Sequence, residues 1–119
     1  MVDAGDFAGA KVAHLVALYR WCHERVYEVD PEELTGETWV TATKCAGQLV
    51  RNAFGGDLGA AIDFLRWTWR REEGREKWRR ENGRDGRRIT WRDQFAAKYL
   101  ITDYRLARAR DAERGRTTG

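Results

Sequence analysis

Proline and methionine each occur once in the 119 residues, and only two cysteines, Cys22 and Cys45, are present. That is too few for a disulfide-stapled scaffold, and both thiols lie in apolar sequence where reduced, packed side chains are the simplest expectation. No stretch reaches the roughly 18 to 20 apolar residues of a membrane-spanning helix. The opening residues, with Asp3 and Asp6 ahead of a broken apolar segment, lack the basic start and apolar core of a secretion signal. A cytoplasmic protein without membrane contact is therefore expected. Strand-like alternation is missing too, as are an internal repeat and a sustained heptad run, which leaves an all-α, single-domain bundle as the expected fold class.

Lysine is the next scarcity. Four lysines stand against eighteen arginines, and arginine forks onto phosphates and stacks on aromatic or base faces. A GC-rich genome favours arginine codons and accounts for part of that ratio, but not for where the arginines lie. Residues 1–60 hold five Lys or Arg against nine Asp or Glu, a net of −4; residues 61–119 hold seventeen against ten, a net of +7. The overall charge of +3 conceals this polarity.

Apolar residues make up 42% of the chain, enough for one core, and their spacing predicts about four helices. Val12, Leu15, Val16, Tyr19, Cys22 and Val26 place helix one over about 6–27. An acidic, solvated connection through Glu28, Asp30, Pro31, Glu32 and Glu33 follows. Helix two, over about 39–54, has Thr35, Thr38 and Thr41 as cap candidates and is closed by Gly55 and Gly56. Asp57 caps helix three, whose inner stripe is Leu58, Ile62, Leu65 and Trp69, with Ala61 and Phe64 beside it. Beyond Arg71 only Trp78 is apolar, so the extension is expected to project or fray. The segment from Asn82 to Arg88 reads as a mobile Gly/Arg-rich loop, with a short β-hairpin between Gly74 and Ile89 as the alternative. Thr90 and Asp93 form a capping box that opens helix four, packed through Trp91, Phe95, Tyr99 and Leu106 with Leu100 and Tyr104 on its flank. The expected core is Leu15, Val16, Tyr19, Leu49, Val50, Ile62, Leu65, Trp69, Phe95 and Tyr99. The helical domain covers 1–110, and 111–119 is a polar tail expected to be disordered.

One stretch has the composition of a nucleic-acid contact. It begins at Arg66-Trp67-Thr68-Trp69 and continues through Arg75 and Lys77 into the connection before helix four. Cations neutralise phosphates and release counterions, while Trp and guanidinium planes accept unstacked bases. The candidate binding residues are Arg70, Arg71, Trp78, Arg79, Arg80, Arg84, Arg87, Arg88 and Arg92. The competing reading places Trp67 and Trp69 in the core, packs Trp78 on helix four and pairs Arg70, Arg71 and Arg75 with Glu72, Glu73 and Glu76 on a solvated face. Three arginines beside the amino terminus of helix four add to the field its free amides create. The Gly-Lys-Ser or Gly-Lys-Thr of a P-loop is missing, so nucleotide hydrolysis is not indicated.

Catalytic patterns are equally thin. His14 and His23 are nine residues apart and make no zinc spacing with Cys22 or Cys45, and adjacent pairs such as Glu32-Glu33 and Glu72-Glu73 diverge on a helix. No catalytic residue, metal ligand set or cofactor is expected. The partner expected is nucleic acid, single-stranded or contacted along its backbone, together with a larger protein complex. The alternative is a protein-interaction adaptor, an inhibitor or a small helical subunit of a larger ribonucleoprotein.

Four segments carry a resemblance: Leu18-Tyr19-Arg20-Trp21-Cys22, Cys45-Ala46-Gly47-Gln48-Leu49-Val50, Ile62-Asp63-Phe64-Leu65-Arg66-Trp67 and Ile89-Thr90-Trp91-Arg92-Asp93-Gln94-Phe95. Their order over residues 11–105 resembles the small helical domains of bacteriophage replication accessory proteins of the replisome-organiser and helicase-loader kind. The resemblance implies a mobile-element DNA transaction as the setting and gives no individual residue a role.

Overall fold

Leu15, Val16, Tyr19, Cys22, Val26 and Tyr27 recur at three- and four-residue intervals and are all buried, which fixes the inner face of α1 (Ala4–Tyr27). The computed structural model describes residues 4–117, with side chains from 12 to 114. Asp3, the side chain of Asp6 and residues 118–119 of the expected tail lie outside the described residues. The helix stops where Glu28 turns to a φ of 62°, its N–H still bonded to the Glu24 carbonyl at 2.8 Å. The connection that follows is not wholly solvated as expected. Its carboxylates face out, but Pro31 and Leu34 are buried, drawn in by a turn in which Leu34 N–H bonds the Pro31 carbonyl at 3.0 Å.

Helix α2 (Glu37–Phe54) buries Ala42, Ala46, Leu49 and Val50. None of the expected threonines caps it. Gly36 holds that position, and Thr41 instead donates to the Glu37 carbonyl one turn back. Its end does follow expectation: Gly55 is left-handed and Gly56 N–H reaches the Val50 carbonyl at 2.9 Å, a closure that favours glycine. Asp57 caps α3 (Leu58–Glu81) by accepting from Ala60 N–H at 3.1 Å. Thr90 and Asp93 form the expected capping box on α4 (Trp91–Phe95).

The single fourth helix is a correction. Ala96 and Ala97 both direct their N–H groups to the Arg92 carbonyl, at 2.9 and 2.8 Å, which ends α4. A separate α5 (Tyr99–Thr117) then starts on a new register. The break turns Leu100, Ile101 and Tyr104 into the core and leaves the expected packing residues Tyr99 and Leu106 exposed. The expected boundary at residue 110 is also crossed, since α5 continues to Thr117, with side chains 108–114 on the surface.

The chain is an all-α bundle, 77% helical, with no strand among the described residues, so the hairpin alternative does not occur. α1 lies against both α2 and α3, α4 packs against α2, and α5 packs against α3. Tyr19 is at the centre, its ring 5.8 Å from both Trp69 and Phe95. Phe64, fully buried, carries the packing on to Tyr104 at 5.3 Å. Of the expected core, Ile62 is only partly buried and Tyr99 lies outside it. No helix among the described residues is long and apolar enough to cross a membrane.

Candidate nucleic-acid interface

The second half of α3 neither projects nor frays. It has almost no apolar residues, yet it is held to α1 by polar groups. Tyr27 donates its phenol O–H to Glu72, which is only 4% exposed, and Arg79 bonds the same carboxylate at 3.0 Å and Glu76 at 3.1 Å. Arg80 donates to the Val26 carbonyl at 3.2 Å. Burial, reinforced by the bond to Glu72, pushes the Tyr27 phenol well above its ordinary pKa, so it remains a neutral donor. Burial opposes the charge on Arg79, but its bonds to Glu76 and Glu72 outweigh that and strengthen the guanidinium's hold on its proton.

The Gly/Arg-rich connection is anchored to the same network, contrary to the expectation of a mobile loop. Tyr27 accepts from Ile89 N–H at 2.8 Å, and the Ile89 carbonyl accepts from Tyr19 at 3.0 Å. Arg84 N–H bonds the Arg79 carbonyl at 2.8 Å, and Arg87 pairs with Asp93 at 2.7 Å. Gly86 passes so close to Arg79 that a Cβ there would lie 2.5 Å from the arginine's Cδ. A side chain at residue 86 would therefore displace the Arg79 side chain from its place against Glu72 and Glu76.

Folding the connection back in this way creates a cleft of about 420 Å³ between α3, the connection and the start of α5. Five arginines line it, Arg71, Arg75, Arg79, Arg87 and Arg88, against one carboxylate, Glu72, at the floor. Tyr99 completes the wall, and its exposure, misplaced for a core residue, is explained by that position. Arg88 lies over the Tyr27 ring at 5.6 Å, and Arg71 over Trp67 at 4.8 Å with Asp103 at 3.5 Å. Apart from Glu72, the interleaved acids of α3 are turned away from the cleft. Glu76 faces inward onto Arg79, while Glu73 and Glu81 lie with Lys77 and Arg80 on the α1 side.

The nine candidate residues do not form one surface. Arg71, Arg79, Arg87 and Arg88 meet in the cleft. Trp78, 56% exposed, is on the same flank of α3, since 71, 75 and 78 share a helical side. Arg84 is exposed in the connection nearby. Arg70 faces a different groove with Trp21 and Arg66, Arg80 is turned toward α1 and Glu28, and Arg92 covers the Trp91 ring at 4.5 Å. Arg75 and Tyr99 were not among the nine. The i, i+4, i+8 series of Arg71, Arg75 and Arg79 identifies the former in the sequence, but only the α4–α5 break brings the latter to the cleft.

The other chemistry considered stays dispersed. Cys22 is buried, its thiol pushed up to about 11 chiefly by burial, and Cys45 is half-buried. Among the described residues no group of three or more His, Cys, Asp or Glu is placed to hold a metal ion. No protein-family model, curated protein or solved structure matches this chain.

Proposed function

We propose that the chain is a non-enzymatic accessory protein that binds nucleic acid by its phosphate backbone, seated in the arginine cleft between α3 and α5. The observation that carries this reading is the convergence of Arg71, Arg75, Arg87 and Arg88 from two separated segments over a floor whose one carboxylate is already bonded to Arg79 and Tyr27. Arg71 and Arg87 are paired with Asp103 and Asp93 behind the lining, so the excess of positive charge that an extended polyanion neutralises with release of counterions is carried by Arg75 and Arg88. Trp78 and Tyr99 offer faces on which a base stacks whatever its identity, which favours single strands and little sequence preference. The phage-replication setting rests on the sequence resemblance alone. A second reading is an adaptor whose arginine face docks on an acidic partner, which leaves the exposed acidic connection between α1 and α2 for a second surface.

The test is an anisotropy titration with single-stranded and duplex DNA and RNA at two salt concentrations, comparing the parent with Arg75→Glu/Arg84→Glu/Arg88→Glu. Arg87 is left intact because its reversal would set a carboxylate against Asp93 and damage the α4 cap. The variant should keep its helical circular dichroism and bind single strands at least about tenfold more weakly, its log-log salt slope falling by about 0.7 for each phosphate no longer neutralised. Unchanged binding to every nucleic acid, with loss of a protein partner, would establish the adaptor instead.

A further inference from the structure

The arginine cleft occupies one flank of α3, and the opposite flank, facing α1, has a groove of about 340 Å³. Leu18, Cys22 and Trp69 form its apolar floor. Trp21 is 55% exposed at its rim, although most other aromatic side chains of the bundle are buried or half-buried, and the Arg25 guanidinium lies 5.1 Å over its ring. Arg66 and Arg70 project from α3 into the same groove and pair with no carboxylate among the described residues. Glu73 is the one acid in the lining. Farther along the same flank the excess vanishes, because Arg25, Lys77 and Arg80 are matched by Glu73, Glu76 and Glu81. The positive charge is therefore concentrated beside the exposed indole.

We infer that this groove is a second binding surface for single-stranded nucleic acid, so that one chain holds two strands, one on each flank of α3. The Trp21–Arg25 stack is a platform for a base, and Arg66 and Arg70 lie where the adjoining phosphates need neutralising. An acidic polypeptide would engage the arginines but offers Trp21 a ring only where an aromatic residue falls opposite it, whereas every nucleotide of a strand carries a planar base beside its phosphate. The inference rests on the reading of the arginine cleft as the first nucleic-acid site, and it assigns Arg70 a strand separate from that of Arg71.

Native mass spectrometry of the full chain with excess oligothymidine of about ten nucleotides counts strands per chain directly. The parent should carry two strands at low salt. Trp21→Ala/Arg66→Gln/Arg70→Gln should carry one, with the affinity of the remaining strand within about threefold of the parent's first step, since distant sites act independently. A strand containing 5-iodouracil, irradiated on the unsubstituted chain, should crosslink at Trp21 as well as on the cleft side. One strand per parent chain, or two on the triple variant, overturns the second surface and leaves the cleft reading intact. Crosslinks confined to the Trp78 flank do the same, as does polyglutamate binding that the triple variant alone abolishes while both strands are retained. A parent that binds no strand overturns both.

Discussion

The two halves of α3 are held in the bundle by different physics. From Leu58 to Trp69 the helix buries Ala61, Phe64, Leu65 and Trp69, and the stabilisation is apolar area and close packing. From Arg70 to Glu81 nothing apolar is buried, and attachment comes from Tyr27, Glu72, Arg79 and Arg80 through directional bonds. The apolar half fixes where the helix lies. Because α3 is one continuous helix, the same buried stripe also sets its rotation, carrying Glu72 inward one turn beyond Trp69 and Arg71 and Arg75 toward the cleft. The polar half holds that turn against α1. A second half docked by an apolar stripe would have no such sorting of charges.

The largest effect should come from the apolar half. Leu65 is fully buried, so Leu65→Ala should cost about 2–5 kcal/mol in denaturant unfolding, through lost transfer energy and a residual cavity. An unchanged midpoint would mean that the first half is not anchored by its apolar face. Next comes Tyr27→Phe, which strips the Ile89 N–H of its acceptor and Glu72 of a donor while keeping the ring against His23 and Trp69. A loss of about 1–3 kcal/mol is expected from the buried groups left without partners. The variant should also bind single strands more weakly, because the connection carrying Arg87 and Arg88 loses the Tyr27 hydrogen bond to α1 and keeps the one from Tyr19. A drop in stability with unaltered binding would detach the network from the cleft.

The contrast between these halves also explains what was legible in the sequence. Apolar periodicity identifies helices only where apolar burial holds them, so the inner stripe through Leu65 and Trp69 could be read while the docking of residues 70–81 could not. Glu72 looks like any solvated helical glutamate until Tyr27, 45 residues away, is seen to donate to it. Local chemistry was readable at several helix ends whose partners are near in sequence, though not at the start of α2, where Gly36 holds the cap position in place of a threonine. The Thr90–Asp93 box, the Asp57 cap and the Gly55 closure are of that kind. The α4–α5 break was hidden because Ala96, Ala97 and Lys98 are good helix formers, and tertiary packing of Ile101 and Tyr104 overrides their propensity. The basic stretch was recognisable by composition, but its division between two flanks follows from a rotation that distant contacts impose.

His23 sits at the junction of the two halves, within 6.2 Å of the Trp69 ring and 4.7 Å of the Tyr27 ring, with Nδ1 2.8 Å from the Val29 carbonyl. Burial holds its pKa below the ordinary 6.5, against the opposing pull of the Val29 bond and of Glu33. The unfolded chain therefore takes up the proton more readily than the folded one. The corresponding stability is complete above the unfolded pKa and is lost as pH falls below about 6.5. The salt-bridged carboxyl of Asp30, held below 3.8 first by its bond from Arg20, acts only at much lower pH. Thermal midpoints of the parent should fall between about pH 7 and 5, and His23→Gln should remove that part of the slope.

The smallest effect should belong to the charge-balanced side of the polar half. Lys77 is exposed on the flank facing α1, where it lies with Glu73, Glu76 and Glu81. An exposed lysine among carboxylates contributes little to stability, because water screens the attraction and the long side chain loses freedom when it pairs. Nor does it add to the excess charge felt in the cleft, from which the helix separates it. Lys77→Ala should leave the unfolding midpoint within about 0.5 kcal/mol of the parent, and single-strand affinity should change by about twofold at most. Arg75→Ala, two residues earlier and on the other flank, should weaken the same strand several times more and lower the salt slope. Equal weakening by the two substitutions would mean that the polyanion senses net charge alone, and that the inward rotation of Glu72 and Glu76 does not shape the surface it meets.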